Sequence, residues 1–353
     1  MERSTAGSTA HRENTMRNDE AAGRTPTILD VAAFAQVSKS TVSLVLQGST
    51  RIPEATAERV RNAAAALGYI YNQRAASLRR QSSTTIGVVI NDLMNPFFSE
   101  VLIGLESALV EAGYTVLMGH SQEDPRRQER LLQSMRELHA GGIVLCPAIG
   151  TPPENLARLR DSGTPLTLIV RAHDRAGHDF AGVANAQGVF LATQHLIGAG
   201  HRRIGFLGGL PGTMQVDRVS GYRQALAEAG IAFDPVLVVS APPHRAGGYG
   251  ALHALLDGEG AATAAVCYND ITAFGALSAL GARGLRAGAD FALVGFDNVL
   301  DAAHSNPPLT TVDIRPVELG LRAAELLLQR IAEPGRPAQA YEATPQLVVR
   351  GSG

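Results

Sequence analysis

The residues best suited to contact another molecule lie in one short stretch, residues 27–46, TILDVAAFAQVSKSTVSLVL. A cation and several hydroxyl groups lie close together near its end: Lys39, Ser40, Thr41 and Ser43. At the start of a helix, such groups can hydrogen-bond to base edges and phosphates in the major groove of DNA. The alternative is a small helical hairpin whose polar face is only solvated. This stretch by itself leaves both interpretations open.

Two short helices joined by a turn are predicted to position these groups. Thr27, with Asp30 three residues later, is a capping-box-like start for the first helix, and Ser38 can cap the second. The turn falls at Gln36-Val37. The inner face of the second helix is predicted to consist of Val42, Val45 and Leu46. A helix this short is not stable alone in water, so its neighbours must hold it.

A third helix and a basic segment follow. Pro53 suits the first turn of a helix and Gly68 its C-cap, and the apolar positions between them would close a three-helix core. The next segment, NQRAASLRR at residues 72–80, is typical of a short basic helix and leads into the polar run QSSTT. From its residues alone this segment could equally be an ordinary interdomain linker.

In combination, these motifs resemble the headpiece of the LacI (lactose-repressor) family of transcription regulators. The resemblance rests on VSKSTVS, on residues 53–67 and on GYIYNQRAASLRR, and it extends over roughly residues 25–350. It implies that the second helix reads operator DNA. The residues implied to face bases are Lys39, Ser40 and Leu44, and those implied to face phosphates are Thr27, Ser38, Thr41, Ser43 and Asn72.

The resemblance also implies a hinge helix within residues 72–84 that forms only when two subunits sit on the operator. Leu78 matches the residue that is wedged into the minor groove, and Arg79 lies beside it to follow the groove. Such a wedge unstacks one base step at a cost of roughly a few kcal/mol, which additional contacts offset. A ligand that separates the two hinges would thereby control DNA affinity.

Two positions of the headpiece depart from the family pattern. Gln36 stands in the turn where the family usually has glycine, and Leu44 stands where it has arginine. We expect Gln36 to be tolerated if its φ stays negative. Leu44 removes a base-reading guanidinium group and can contact a thymine methyl group instead. The operator should therefore differ from those of relatives that carry the arginine.

The formal charge of −2 hides a basic segment. Residues 25–82 contain seven basic and three acidic residues, residues 1–24 four of each, and residues 83–353 contain 20 basic and 26 acidic residues. A basic small module on an acidic large one favours DNA binding by the first. Residues 1–24 are polar throughout, which predicts a disordered extension and no secretion signal.

The two cysteines, Cys146 and Cys267, lie in apolar strand-like runs. They are expected to be buried thiols in a reducing cytoplasm rather than disulfide or zinc ligands. No apolar run in the sequence approaches the ~20 residues that cross a membrane. We therefore expect a cytoplasmic protein without a membrane partner.

From Thr85 onward, short apolar runs alternate with helical stretches in two similar series. This pattern predicts parallel sheets with right-handed crossovers, arranged as two lobes with a cleft between them. The fold class is thus α/β, with an N-terminal all-α helix-turn-helix headpiece at residues 25–71 and a two-lobe core at residues 85–353. The resemblance agrees, since this core looks like a periplasmic sugar-binding protein. Lobe crossings are expected near residues 184 and 310.

Polar and aromatic side chains follow several strands, at the edge where parallel sheets bind ligands. They are Asp92, Asn95, Phe98, Arg171, Arg218 at a helix start, Asn269 and Asp297. Taken singly, an Asp or Asn after a strand is most often a helix cap. The resemblance implies instead that they line an effector cleft, where an aromatic face stacks on a ring and polar groups orient it.

The cleft also departs from the family pattern. Val170 and Ala184 stand where the family commonly has Asp, and Ile314 replaces a Gln. Losing carboxylates while keeping Arg171 and Arg218 predicts a cleft that tends toward positive charge. The candidate effectors are a sugar, a sugar acid or a phosphorylated metabolite, and this charge favours the last two.

Other functions fit the sequence less well. It has no P-loop, G-x-S-x-G or H-E-x-x-H motif, and its histidines lack ligand spacing, so neither an enzyme nor a metal or other cofactor is expected. An architectural DNA protein would leave the cleft unexplained. We predict a homodimeric, ligand-responsive transcription regulator, most simply a repressor. The alternative is a cytoplasmic small-molecule-binding protein without specific DNA readout.

Overall fold

The computed structural model describes residues 25–70, 83–172, 177–258 and 261–353. The chain divides into two compact units, residues 1–82 and 83–353. The extension expected at residues 1–24 lies outside the described residues, as do Asn72, Leu78 and Arg79 of the expected hinge.

Three helices make up the described part of the first unit: α1 (Ile28–Ala35), α2 (Lys39–Leu46) and α3 (Glu54–Leu67). The axes of α1 and α2 differ by 103°, as in a helix-turn-helix motif. Each helix contributes a fully buried valine to a common core, namely Val31, Val42 and Val60. Because all three pack on one another, the eight-residue α2 is held by its neighbours, as its length requires.

Both predicted helix starts are confirmed. The Thr27 backbone N–H and hydroxyl group both donate to Asp30 Oδ2, each at 2.7 Å. Ser38 Oγ accepts from the Thr41 backbone N–H at 3.1 Å. These contacts satisfy backbone donors that a helix otherwise leaves without partners.

The end of α1 corrects one expectation. Gln36 has a φ of +52°, in the left-handed region, so the negative φ under which it was expected to be tolerated is not met. The following Val37 N–H donates to the Ala32 carbonyl oxygen at 3.0 Å, which closes the helix end. The turn thus has the geometry that favours glycine, and a side chain there costs roughly 1–2 kcal/mol.

Two six-stranded sheets form the second unit, in the orders β11-β5-β4-β3-β1-β2 and β12-β10-β9-β8-β6-β7. We call these lobe 1 and lobe 2. All their strand pairs are parallel except β10–β12, which is antiparallel. The strands are β1 (Thr85–Ile90), β2 (Thr115–His120), β3 (Gly142–Leu145), β4 (Leu166–Ile169), β5 (Asp179–Val183), β6 (Ile204–Leu207), β7 (Val238–Val239), β8 (Ala264–Cys267), β9 (Ala292–Asp297), β10 (Thr310–Asp313), β11 (Ala340–Ala343) and β12 (Gln346–Val348).

Helices connect the parallel strands. They are α4 (Pro96–Glu111), α5 (Pro125–Glu137), α6 (Pro153–Asp161), α7 (Asn185–Gly198), α8 (Thr213–Glu228), α9 (Arg245–Asp257), α10 (Asp270–Ala282) and α11 (Pro316–Ala332), with 3₁₀ turns at Pro235–Leu237 and Leu300–Ala303. Within the described ranges no single helix is long and apolar enough to span a membrane, and the bent pair α1–α2 qualifies only by length and composition.

The chain passes between the lobes three times. It enters lobe 2 after β5, returns to lobe 1 after β10, and crosses again between Ala343 and Gln346. The sequence predicts crossings near residues 184 and 310 but not the third. It also does not predict β5 and β11, which pair with each other at one side of the lobe 1 sheet.

A buried carboxylate holds the returning chain in lobe 1. Asp179, at the start of β5, accepts from Arg330 Nε at 2.9 Å and from Arg336 Nη2 at 2.9 Å. It also accepts from the Gln339 backbone N–H at 2.8 Å. Since the Asp179 side chain is wholly buried, two cations and one amide compensate its charge. This cluster joins the end of α11 to β5 and fixes where β11 begins.

Glycines let α4 and α11 approach closely within lobe 1. A Cβ atom on Gly104 would lie 2.0 Å from the Val317 carbonyl oxygen, and one on Gly320 would lie 2.0 Å from the Val101 carbonyl oxygen. Both distances are far inside van der Waals contact with backbone, which cannot move aside cheaply. The two helices must therefore separate if either position carries a side chain.

We expect Gly320→Ala to lower the unfolding free energy of the second unit by about 1–3 kcal/mol, the usual cost of overpacking. Urea unfolding of the full chain, followed by circular dichroism, measures the change. Gly198→Ala is the matched control, because Gly198 lies at the end of α7 with no heavy atom within 4 Å of a built Cβ. It should be neutral or stabilising by up to ~1 kcal/mol. Equal stabilities for the two variants would contradict the close-approach interpretation.

Candidate functional site

The outer face of α2 carries the side chains expected to contact DNA. Lys39, Ser40 and Leu44 are exposed, whereas Thr41 and Ser43 are half-buried. Leu44 exposes 37% of its surface on this polar face, although leucine is usually buried. Leu44 is not part of the headpiece core, so its side chain is available to contact a partner. Lys39 is the only lysine of the chain.

The hydroxyl groups at the start of α2 form a cluster. Ser38 Oγ lies 2.7 Å from Ser40 Oγ and 2.8 Å from Thr41 Oγ1. Ser43 Oγ accepts from Gln47 Nε2 at 2.9 Å. These contacts preset the hydroxyl orientations and leave remaining lone pairs and protons for an external partner. Thr27 is half-buried at the start of α1.

A cavity of about 60 Å³ lies between the two lobes, at the carboxyl ends of their strands. All the effector-cleft residues proposed from the sequence line it: Asp92, Asn95, Phe98, Arg171, Arg218, Asn269 and Asp297. Val170 and Ile314, two of the three departures from the family pattern in the cleft, line it as well. Residues from distant parts of the chain therefore meet at one site, as ligand binding at an α/β crevice requires.

Two of these residues also cap helices. Asn95 Oδ1 accepts from the Phe97 backbone N–H at 3.1 Å at the start of α4. Asn269 Oδ1 accepts from the Thr272 backbone N–H at 2.9 Å at the start of α10. Asn95 and Asn269 therefore both cap a helix and line the cleft, because each cap lies where a strand ends and a helix begins.

Arg218 lies in the wall of the cavity from lobe 2. Its Nε donates to Asn185 Oδ1 at 2.9 Å, and its Nη1 donates to the Tyr268 carbonyl oxygen. The guanidinium carbon lies 4.4 Å from the Tyr268 ring centroid and 3.9 Å from that of Phe296. Rings on the guanidinium plane stabilise the buried cation and fix its orientation. Arg218 lies inside α8, which begins at Thr213, and not at a helix start as expected.

Arg171 forms the opposite wall in lobe 1, and Glu123 compensates its charge. Arg171 Nη1 donates to Glu123 Oε2 at 3.0 Å and Nη2 donates to Oε1 at 3.1 Å. Glu123 Oε2 also accepts from the Ile149 backbone N–H at 2.9 Å, and Oε1 accepts from Asn91 Nδ2 at 2.5 Å. The net positive cleft expected from the sequence is therefore wrong on this side, because a bidentate carboxylate neutralises the guanidinium group.

Asn91 lines the cavity with an amide that is only partly hydrogen-bonded. It is 3% exposed, and its Oδ1 has no hydrogen-bond partner among the described residues. A buried amide oxygen without a partner costs free energy, which a ligand hydroxyl or amine at this position would recover.

Asp297 has an unusual environment at the end of β9. Its φ of +124° is a conformation that non-glycine residues rarely adopt. Burial raises the pKa of Asp297 well above its usual range, Arg218 opposes that rise, and Asp270 and Glu100 add to it. A carboxyl group in this state gains a proton more readily, so it can donate to a ligand hydroxyl as well as accept from one.

Asp270 lies behind Asp297 and positions its loop. The Asp270 carboxylate accepts from the Val299 backbone N–H at 3.0 Å and from Thr311 Oγ1 at 2.5 Å. Burial raises the pKa of Asp270 to about 6, although hydrogen bonds from Thr311 and from backbone N–H groups oppose the rise. Asp270 is wholly buried, and its charge adds to the rise in the pKa of Asp297.

Several cavity residues were not proposed from the sequence. They include Asn91, Glu123, Asn185, Met214 and Tyr268. Position carried a usable signal for some of them: Asn91 directly precedes Asp92, Tyr268 directly precedes Asn269, and Glu123 follows the end of β2. Extending the search to the loop after every parallel strand would have found Glu123.

Comparison with known proteins identifies the same two units. Residues 27–72 match the family model "Bacterial regulatory proteins, lacI family", and residues 193–353 match "Periplasmic binding protein-like domain". The transcriptional regulator CelR in complex with cellobiose superimposes with a TM-score of 0.70 at 30% identity, covering 93% of this chain and 100% of that one.

Relatives by sequence are transcriptional repressors. The chain is 33% identical over 332 residues to the HTH-type transcriptional repressor PurR of Aliivibrio fischeri (strain MJ11), covering 92% of this chain and 98% of that protein. It is 33% identical over 327 residues to the Ribose operon repressor of Haemophilus influenzae (strain ATCC 51907 / DSM 11121 / KW20 / Rd), with the same coverage. With a LacI headpiece, a two-lobed core and this similarity along nearly its whole length, the chain belongs to the LacI family of DNA-binding transcriptional regulators.

Proposed function

We propose that this regulator is a homodimeric repressor whose affinity for operator DNA is controlled by a small molecule bound between the lobes. Residues 25–71 form its DNA-binding domain, residues 72–84 its hinge, and residues 85–353 its effector and dimerisation domain. The observation that supports the proposal most directly is the meeting of Phe98, Arg171, Arg218, Asn269 and Asp297 around one inter-lobe cavity. Such a protein acts on DNA in the cytoplasm by binding and not by catalysis.

The proposed DNA contacts follow from the exposed face of α2. Lys39, Ser40 and Leu44 contact bases, and the hydroxyl groups of Thr27, Ser38, Thr41 and Ser43 contact phosphates. Leu44 offers only apolar contact, which favours a thymine methyl group over guanine. Asn72, Leu78 and Arg79, outside the described residues, supply a further phosphate contact and the minor-groove wedge.

Selection of DNA from a random pool by the purified full chain at physiological salt tests this proposal. We expect a palindrome with a central flexible step, since a two-fold dimer reads two half-sites and a wedge bends the step between them. Lys39→Ala should weaken binding of that operator by about 1–3 kcal/mol and relax its sequence preference.

Arg59→Ala is the matched control, because Arg59 is an exposed cation on α3 with no proposed base contact. Lys39 is the only lysine of the chain. Amine-selective methylation at high pH, with and without operator, therefore measures how far bound DNA protects the Lys39 amine. If Lys39→Ala lowered affinity for operator and random DNA by the same factor, Lys39 would contact only phosphate. If no palindrome were enriched, even with metabolite extract present, a small-molecule-binding protein without specific DNA readout would be the better description.

We propose that the effector is a neutral, polyhydroxylated ring. Phe98 offers an aromatic face, while Asn91, Asn269 and Asp297 offer donors and acceptors suited to hydroxyl groups. On the lobe 1 side, Arg171 is not free to bind an anion, because both of its terminal nitrogens are bound to Glu123. The relatives named above include a ribose operon repressor and a cellobiose complex, which fits this chemistry.

We expect the wild-type chain to bind a neutral sugar more tightly than the corresponding sugar acid in isothermal titration calorimetry. Glu123→Gln should shift this ratio toward the acid by roughly tenfold or more, because it leaves a buried guanidinium group without its charge partner. Glu137→Gln, at an exposed position of α5, is the control and should leave the ratio unchanged. Tight binding of acids and none of neutral sugars by the wild type would instead support the anionic effector.

An exposed apolar surface supports the proposed dimer. We call it the α4–β2 face: Ile103, Val110 and Met118, exposed by 61%, 52% and 47%. β2 is an edge strand, and a groove of about 450 Å³ runs between it and α4. Exposed apolar surface beside an open edge strand favours association, and a second copy could cover it with the same face by two-fold symmetry.

Met118→Asp should weaken the dimer at least about tenfold, because it places a charge within an apolar contact. Sedimentation velocity over a range of protein concentrations measures the dissociation. Val236→Asp is the control, since Val236 is 60% exposed but lies in lobe 2, away from the α4–β2 face. A dimer that Met118→Asp leaves intact would place the interface elsewhere.

A further inference from the structure

The backbone that carries Asp297 is strained. Asp297 has a φ of +124° and the next residue, Asn298, has a φ of +57°, so two successive residues other than glycine have positive φ. Asparagine tolerates the left-handed region, whereas +124° is unfavourable for any side chain. We call residues 297–300 the Asp297 loop. Such a conformation persists only where surrounding contacts hold it.

Two side chains of lobe 2 hold the middle of this loop. Asp270 Oδ2 accepts from the Val299 backbone N–H at 3.0 Å, and the Asn298 backbone N–H also donates to Asp270. Arg350, which follows β12, donates from Nη2 to Asn298 Oδ1 at 2.7 Å. These contacts stay in place whatever the distance between the lobes, because all of their members belong to lobe 2.

A residue of lobe 1 holds the end of the loop. Glu100, half-buried on α4, accepts through Oε1 from the Leu300 backbone N–H at 2.9 Å. Glu100 is not among the residues that line the cavity, so it reaches a bound ligand only through the loop. Because Glu100 and Leu300 belong to different lobes, separating the lobes must break this hydrogen bond.

The charged groups that face Glu100 are carboxylates of lobe 2. They are Asp301 on the 3₁₀ turn, Asp313 at the end of β10 and Asp297 itself. Burial raises the pKa of Glu100, the Leu300 N–H opposes that rise, and Asp301 and Asp313 add to it. Repulsion between the lobes therefore opposes the hydrogen bond whenever Glu100 is charged.

Cations close to these carboxylates have other partners. Arg218 faces Asp297 and opposes the rise in its pKa. Arg315, two residues after β10 ends, pairs with Glu318 at 3.1 Å. Among the described groups, the partner that stabilises a charged Glu100 is therefore the Leu300 N–H.

We infer that Glu100 is a positioning residue, which from lobe 1 holds the Asp297 loop of lobe 2 in its strained conformation while the lobes are as close as they are here. That Asp297 contacts the effector rests on the proposed function. Since opening the lobes releases one end of the loop, the orientation of Asp297 and the separation of the lobes change together. A ligand that binds Asp297 in this orientation thereby favours the close arrangement.

Protonation of Glu100 favours the same arrangement, because it removes the repulsion between the lobes. The pKa of Glu100 is higher with the lobes close than with them apart. This contribution is therefore fully present at low pH and is lost as the pH rises through the pKa of Glu100.

Hydrogen–deuterium exchange of the effector-free full chain, read residue by residue by mass spectrometry, tests the inference. Glu100→Met removes the acceptor and keeps the length of the side chain. It should speed exchange of the Leu300 amide, and also of the Asn298 and Val299 amides, by about two- to tenfold, the effect of losing one ordinary hydrogen bond. The last two amides are the informative ones, because their acceptor, Asp270, is unchanged.

Glu100→Gln separates the hydrogen bond from the charge. Its amide oxygen still accepts from the Leu300 N–H, so the loop should exchange no faster than in the wild type. Glu111→Met, at the exposed end of α4, is the matched control for Glu100→Met and should leave all three amides at the wild-type rate.

The ratio of the wild-type exchange rate to that of Glu100→Gln, measured from about pH 5.5 to about pH 8, tests the dependence on charge. Taking the ratio cancels the intrinsic effect of pH on exchange, which is the same for both chains. The ratio should be closest to one at the low end and rise with pH, because only the wild type gains a charge that Asp301 and Asp313 repel.

The opposite results are equally clear. Faster exchange confined to the Leu300 amide in Glu100→Met would overturn the inference, since Glu100 would then not position the Asp297 loop. Equal exchange in Glu100→Gln and Glu100→Met would remove the hydrogen bond as the cause, and a ratio independent of pH would refute the repulsion. Because these measurements use neither effector nor DNA, a chain that binds no sugar would overturn the proposed effector and not the exchange result.

Discussion

A buried guanidinium group persists only where its charge and its hydrogen-bond donors are satisfied, and the large unit buries two of them between its lobes. Arg171 is 8% exposed and Arg218 is 4% exposed. The first is satisfied by a carboxylate, and the second by an amide oxygen, a carbonyl oxygen and two aromatic rings. Each of these two sets of contacts fixes the shape of one cavity wall. The polarity that remains for a ligand is then set by Asn91, Asn269 and Asp297.

The arrangement of strands and helices brings the contact residues of Arg171 and Arg218 together. Parallel strands place their carboxyl ends at one edge, so loops from β1, β2 and β4 meet loops from β8 and β9. The chain must cross between lobes to form both sheets, and the Asp179 cluster determines where it rejoins lobe 1. The close approach of α4 and α11 at Gly104 and Gly320 keeps the crossing helix against that lobe. Packing far from the cavity thus determines which side chains reach it.

In the headpiece, too, one face of a helix supports the fold and the opposite face is left for contact. Val42 and Val45 bury one face of α2 in the core, which leaves the opposite face to carry Lys39, Ser40 and Leu44. The Ser38 cap and the left-handed turn at Gln36 fix where the helix starts and in which direction it runs. Leu44 is exposed among these hydroxyl groups and is not part of the core, so we propose that it alters the DNA preference of the headpiece and not its fold.

The sequence alone determined much of this protein, since many of its signals are local. Periodicity and caps located α1 to α3 and most of the strands. Positions after strands, together with the resemblance to the LacI family, identified seven cavity residues, because the carboxyl ends of parallel strands share one edge. Tertiary structure alone decided the pairing of β5 with β11, the third crossing, the positive φ of Gln36 and the neutralisation of Arg171 by Glu123. Glu123 and Arg171 are 48 residues apart, and Gly320 meets α4 from the far end of the chain. Such contacts depend on how distant segments pack, and neither periodicity nor composition contains that information.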